Sequence, residues 1–152
     1  MPLVVELALP EELVALSAGG LEQSLVATEQ VRRQVEATLL DIIDLADQRG
    51  IFADDGHATV RQWVQTLTNC SRTEATRRVQ SMRALRDLEL VRARLRAGAV
   101  GVDQVRGIAK VHANRRCTTQ LPDSEHLLRS CGQSRVCRFR GGGGPVGDVG
   151  GC

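Results

Sequence analysis

The sequence predicts an all-α fold, a small multi-helix bundle, on three observations. Residues 21–49 contain neither Gly nor Pro and are rich in helix formers. Apolar residues recur there at three- and four-residue steps, and do so again after residues 71 and 101. Finally, Ser71-Arg72-Thr73-Glu74 has the spacing of a capping box, which fixes a helix start. A chain of 152 residues has room for one ordinary domain, and 42% apolar with 25% charged residues is a globular composition. With two Phe, one Trp and no Tyr, the core must be aliphatic, and recognition built on aromatic stacking is disfavoured.

Residues 1–20 form an N-terminal segment that ends at a Gly19-Gly20 break. It carries Glu6, Glu11 and Glu12 without a basic stretch, so it does not read as a signal peptide, and the expected compartment is the cytoplasm. Nowhere is there a run of about 18 uncharged apolar residues, so no membrane partner is expected. The helix predicted over 21–49 has an apolar stripe of Leu21, Leu25, Val31, Val35, Leu39, Ile42, Ile43 and Ala46, and Gly50 closes it. Its length, about 43 Å at 1.5 Å per residue, exceeds what a compact bundle needs. It is therefore expected to bend or to form the seam of a homodimer.

Asp54-Asp55-Gly56 is a turn signal, and adjacent carboxylates in such a turn are structural rather than catalytic. A short helix follows over 58–67, with Trp63 as a core anchor beside Val60, Val64 and Leu67. After a turn at 68–70, the helix capped by Ser71 buries Ala75, Val79, Met82 and Leu85. That leaves Arg72, Arg77, Arg78, Arg83 and Arg86 largely outward. This succession is compatible with a helix-turn-helix. Residues 88–95 form a further helix ending at Gly98. A last one begins near Asp103 and lines Val102, Val105, Ile108, Ala109 and His112 along one side. Gly107 lies inside it at a cost of about 1 kcal/mol against Ala, unless close packing requires it. His112 reads as a packed or hydrogen-bonded side chain.

From Cys117 the periodicity stops, and seven of the last twelve residues are Gly. Residues 117–152 read as a disordered tail. The organisation is thus an N-terminal segment at 1–20, a helical domain at 21–116 and a Cys- and Gly-rich tail at 117–152.

The net charge of +2 conceals an asymmetry. Residues 1–60 hold 3 basic against 11 acidic side chains, a net of −8, whereas residues 61–116 hold 13 against 4, a net of +9. Two readings stay open: the basic block grips phosphate backbones, or it pairs with the acidic segment within one chain or between two. Five Cys at irregular positions (70, 117, 131, 137 and 152) do not make a disulfide framework. Cys117, His126, Cys131 and Cys137 lack the tight knuckle spacing of structural zinc, so no metal is expected. Cys70, at a helix entrance, is a reactive thiol at most. The Gly141 to Gly144 run lacks the Lys-Ser/Thr and flanking elements of a phosphate loop, so no cofactor is expected either.

A longer set of features resembles one family. It comprises the acidic helix ending at Arg49-Gly50, then Gly56, Thr59 and Trp63, the Ser71-x-x-Glu74-Ala75 start, Arg77-Arg78-Val79 and Ala84-Leu85. The Leu95-x-x-Gly98 turn into Asp103-Gln104-Val105 completes it. In order and spacing this resembles the actinobacterial DUF222 family, also called the 13E12 repeat family, over residues 21 to 115. The resemblance implies a helical region that commonly precedes an HNH endonuclease module, in which His and Asn place a divalent metal on the scissile phosphate. His112-Ala113-Asn114 only echoes that module, for no strand-turn-helix with a second His follows. The chain is expected to be truncated before the nuclease module, with a tail resembling a foreign reading frame, and to lack catalytic residues. Three readings follow: a nucleic-acid-binding or adaptor module contacting DNA phosphates through Arg72, Arg77, Arg78, Arg83 and Arg86; a self-associating remnant joined through the 21–49 helix; and, least supported, a metal-dependent HNH-type endonuclease.

Overall fold

The computed structural model describes residues 9–114. Among these there are seven helices and no strand: α1 (Pro10–Val14), α2 (Ala18–Arg49), α3 (Ile51–Asp54), α4 (Val60–Thr68), α5 (Arg72–Asp87), α6 (Glu89–Arg96) and α7 (Val102–His112). The fold is all-α, as the sequence predicts. The tail from Cys117, with its four cysteines and His126, lies outside the described residues, as do residues 1–8.

The helix ends follow from local chemistry. Ser17 accepts a hydrogen bond from the Gly20 amide at 3.2 Å, so Gly19 and Gly20 sit inside the first turn of α2 and are not the break the sequence reading places there. Gly50, at φ +68°, ends α2 in the left-handed region. Gly50 also leads directly into α3, a single turn over residues read from sequence as loop. α4 starts at Val60, two residues later than predicted, because Thr59 is extended and caps the Gln62 amide at 3.3 Å.

Between α4 and α5 the chain reverses in three residues. Asn69 adopts φ +48°, unusual for a residue with a side chain and tolerated best by Asn or Asp. Ser71 then accepts from the Glu74 amide at 3.1 Å. Only this half of the expected capping box forms. The Glu74 carboxylate turns instead to Arg106 of α7, with which it makes an ion pair, and to Arg78 at 3.3 Å.

α5 is the central helix, packed by α2, α4, α6 and α7. Its predicted inner face, Ala75, Val79, Met82 and Leu85, is buried. With Leu40 and Ile43 of α2, Val64 of α4, Val91 and Leu95 of α6, and Val105 of α7, it forms one aliphatic core. Full burial of each Val, Leu, Ile or Met side chain among them contributes about 1.5–3 kcal/mol. Trp63 packs on the edge of this core, and its indole N–H donates to Asp55 at 2.7 Å, which gives the turn carboxylate a structural role. Leu67, expected beside it, is 62% exposed.

On α2 the structure corrects the predicted stripe. The buried residues are Ala37, Leu40, Ile43, Asp44 and Ala46, while Leu21, Leu25, Val35 and Ile42 face outward. The helix thus carries two apolar faces, and the one in the core also holds Asp41, Asp44 and Asp47 at three-residue steps. Arg86 of α5 hydrogen-bonds Asp44 and also Asp47 at 2.7 Å. Arg92 of α6 donates to Asp41 at 2.6 and 2.9 Å and lies 3.5 Å from Asp44; Arg96 reaches Asp41 at 2.7 Å. Asp44 is only 4% exposed and accepts a further bond from Gln48 at 2.9 Å. For Arg86, Arg92 and Arg96 the pairing of basic block and acidic segment within one chain is therefore realised.

Two glycines differ in kind. Gly98 is buried at φ +71°, and a Cβ there would lie 2.5 Å from the Gln30 side chain and 3.2 Å from the Gln30 carbonyl oxygen. Its own carbonyl accepts from Arg33 at 3.0 Å, fastening the α6–α7 turn to α2. Gly107 lies exposed on α7 with nothing within 4 Å of the position of a Cβ, so close packing does not explain it.

Candidate nucleic-acid interface

The five arginines singled out on α5 separate into two groups. Helical spacing places Arg72, Thr73, Thr76, Arg77, Gln80 and Arg83 along one side of α5, and all but the half-buried Thr76 are exposed. Arg72 and Arg83 have no ion pair or side-chain hydrogen bond among the described residues, and Arg77 only approaches Glu74, at 3.9 Å. These three guanidinium groups keep their donors toward solvent. Thr73 and Gln80 intersperse them with neutral donors and acceptors.

Arg78 and Arg86 belong to the body of the protein. Arg78 lies beside Glu74 and donates to the Thr68 hydroxyl at 3.4 Å, bracing α4 against α5. Burial disfavours the Arg86 charge, yet its hydrogen bonds to Asp44 and Asp47 outweigh that and hold the guanidinium above its ordinary value. Arg78 is half-buried and departs from the outward reading, whereas Arg86 is exposed, as read, but has its donors taken by the acids of α2.

Sequence reasoning missed Arg61. It stands in the first turn of α4, half-buried, with no ion pair among the described residues, at the mouth of a cleft it shares with Arg83. A signal was present: no acid occurs three or four positions to either side of Arg61, so its own helix cannot neutralise it. Other candidates have local roles. His112 Nε2 lies 2.8 Å from Asp87, and Cys70 packs against the core at the turn. No group of three or more His, Cys, Asp or Glu side chains among the described residues is arranged to hold a metal ion. None of the described helices is long and apolar enough to cross a membrane.

These features define the class: an all-helical module in which α4, a three-residue turn and α5 present a polar, arginine-bearing face. The chain belongs to the family described as Domain of unknown function (DUF222), which it matches over residues 22–132. The match begins near the start of α2 and includes α3 through α7. No curated protein and no solved structure matches the chain.

Proposed function

We propose that the chain is a helical nucleic-acid-binding module that contacts the backbone of a DNA duplex through the exposed side of α5. The observation that carries this reading is the contrast within one helix: Arg78 and Arg86 have acceptors on neighbouring elements, whereas Arg72 and Arg83 have no ion pair among the described residues, Arg77 has only a long, exposed one to Glu74 at 3.9 Å, and all three share one exposed side. The connectivity of α4, turn and α5 is that of a helix-turn-helix, whose second helix enters the major groove. Guanidinium groups there bind phosphate oxygens, which supplies affinity more than sequence information. Each phosphate neutralised releases condensed counterions, so three such contacts give a slope of log K against log salt of about −3. Fluorescence anisotropy of a labelled duplex across a salt series tests this. Steep salt dependence that is lost on reversing Arg72 and Arg77 is expected; absence of binding at low salt, or binding unchanged by those reversals, overturns it.

A second reading rests on the outer side of α2. Leu25 is 72% and Ile42 55% exposed, with Leu21, Val35 and Leu45 also uncovered along a helix about 48 Å long. Such a stripe favours self-association. Sedimentation velocity tests it, and a monomer over a wide concentration range removes it.

A further inference from the structure

Beside the α5 face lies a cleft of about 390 Å³, bounded by the end of α2, the start of α4 and the middle of α5. Arg61 and Arg83 line it from two different helices. Neither has an acid partner among the described residues, so two like charges share one concavity unpaired. The one carboxylate in the wall, that of Asp47, already accepts from Arg86 at 2.7 Å. Of the neutral polar groups, Thr76 donates its hydroxyl to the Arg72 carbonyl at 2.8 Å, while the exposed Gln80 amide and the Thr59 hydroxyl proton have no acceptor among the described residues. Each guanidinium presents five donors in a planar fork, a geometry that matches the oxygens of a phosphate.

We infer that this cleft is a phosphate-binding site in which Arg61 and Arg83 grip the anion from opposite helices. Val60 and Val79 lie in the wall between the two arginines. A phosphate held there belongs either to a duplex backbone or to a free phosphate or phosphomonoester. The first source rests on the function proposed above, with Arg61 as the contact made by the leading helix of the pair; the second does not.

Inorganic phosphate titrated into the ¹⁵N-labelled full chain, with chloride at matched ionic strength as reference, is the direct test. Saturable shifts at the amides of Thr59 to Arg61 and Gln80 to Arg83 are expected. Each of Arg61→Gln and Arg83→Gln should weaken them at least tenfold, with Arg49→Gln, outside the cleft, leaving them unchanged. Thermal melts confirm that the variants fold. No saturable shift, or shifts equal in the Arg61→Gln variant, means an adventitious ion only and overturns the site. In a second arm, Arg61→Gln lowers the salt slope of duplex binding by about 0.9 if the phosphate comes from a backbone. Phosphate binding that needs Arg61, in a chain that binds no duplex, keeps the site and assigns it to a free phosphate while the duplex reading falls. Duplex binding with an unchanged slope and no phosphate response keeps the duplex reading and removes the site.

Discussion

Asp44 and Arg86 stand 42 residues apart in the chain and are joined by a hydrogen bond at the edge of the core. A carboxylate this buried persists only because cations from α5 and α6 converge on it. Asp44→Ala leaves Arg86 and Arg92 short of an acceptor and is expected to destabilise the fold by about 3 kcal/mol, measured by urea unfolding. A double-mutant cycle of Asp44→Asn with Arg86→Gln should return a coupling of roughly 1–3 kcal/mol. Additive effects would show that the pair is not coupled.

Arg86 and Arg72 should respond in opposite ways. Arg86→Gln lowers stability, with any loss of nucleic-acid affinity following from partial unfolding. Arg72→Gln changes stability by less than about 0.5 kcal/mol, as expected for an exposed site, and lowers the salt slope of duplex binding by about 0.9. Paired melting and anisotropy data on both variants distinguish a fold arginine from a surface one.

Gly98 and Gly107 make a second contrasting pair. Gly98→Ala combines a left-handed backbone, costing about 1–2 kcal/mol, with a clash against Gln30, so a loss of at least about 2 kcal/mol is expected. Gly107→Ala meets no atom and restores helix propensity, so it should stabilise by roughly 0.5–1 kcal/mol. Chemical denaturation of the two variants reads both signs.

Glu29 carries a pH dependence. Hydrogen bonds from Arg32, then Arg33, hold its carboxyl at about 2 against an ordinary 4.5. Because the folded value is depressed, the stabilisation is fully present above 4.5 and is lost as pH falls from there toward 2. With about a third of the side chain in solvent, screening reduces it to about 1 kcal/mol or less. The stability difference between the protein and its Glu29→Gln variant should shrink over that window and stay flat above pH 5.

How far the sequence could be read depends on where each determinant lies. The inner face of α5 was legible because Ala75, Val79, Met82 and Leu85 follow one helical period with arginines between them. The inner face of α2 was not, since two apolar faces compete there and the buried one contains Asp41, Asp44 and Asp47. A local pattern scores those carboxylates as solvent-facing; only Arg86, Arg92 and Arg96, 39 to 55 residues onward, make their burial tolerable. The same limit applies to the candidate site. Period alone put all five α5 arginines outward but is blind to their partners: Glu74 and Thr68 engage Arg78, and the acids of α2 engage Arg86. Arg61 is a single cation on its helix, and only the packing of α4 against α5 brings it to the cleft that Arg83 lines.

The crossing of acidic α2 with basic α5 and α6 also bears on how the domain can be taken apart. The exposed Asp54-Asp55-Gly56 turn lies close to the point where net charge changes sign, with −8 over residues 1–60 and +9 over residues 61–116. Cleavage at that turn would yield a polyanion and a polycation whose complementary side chains already match at the interface. Such halves are suited to fragment complementation: mixed at low ionic strength they should find each other quickly and rebuild the bundle, and added salt should slow their encounter.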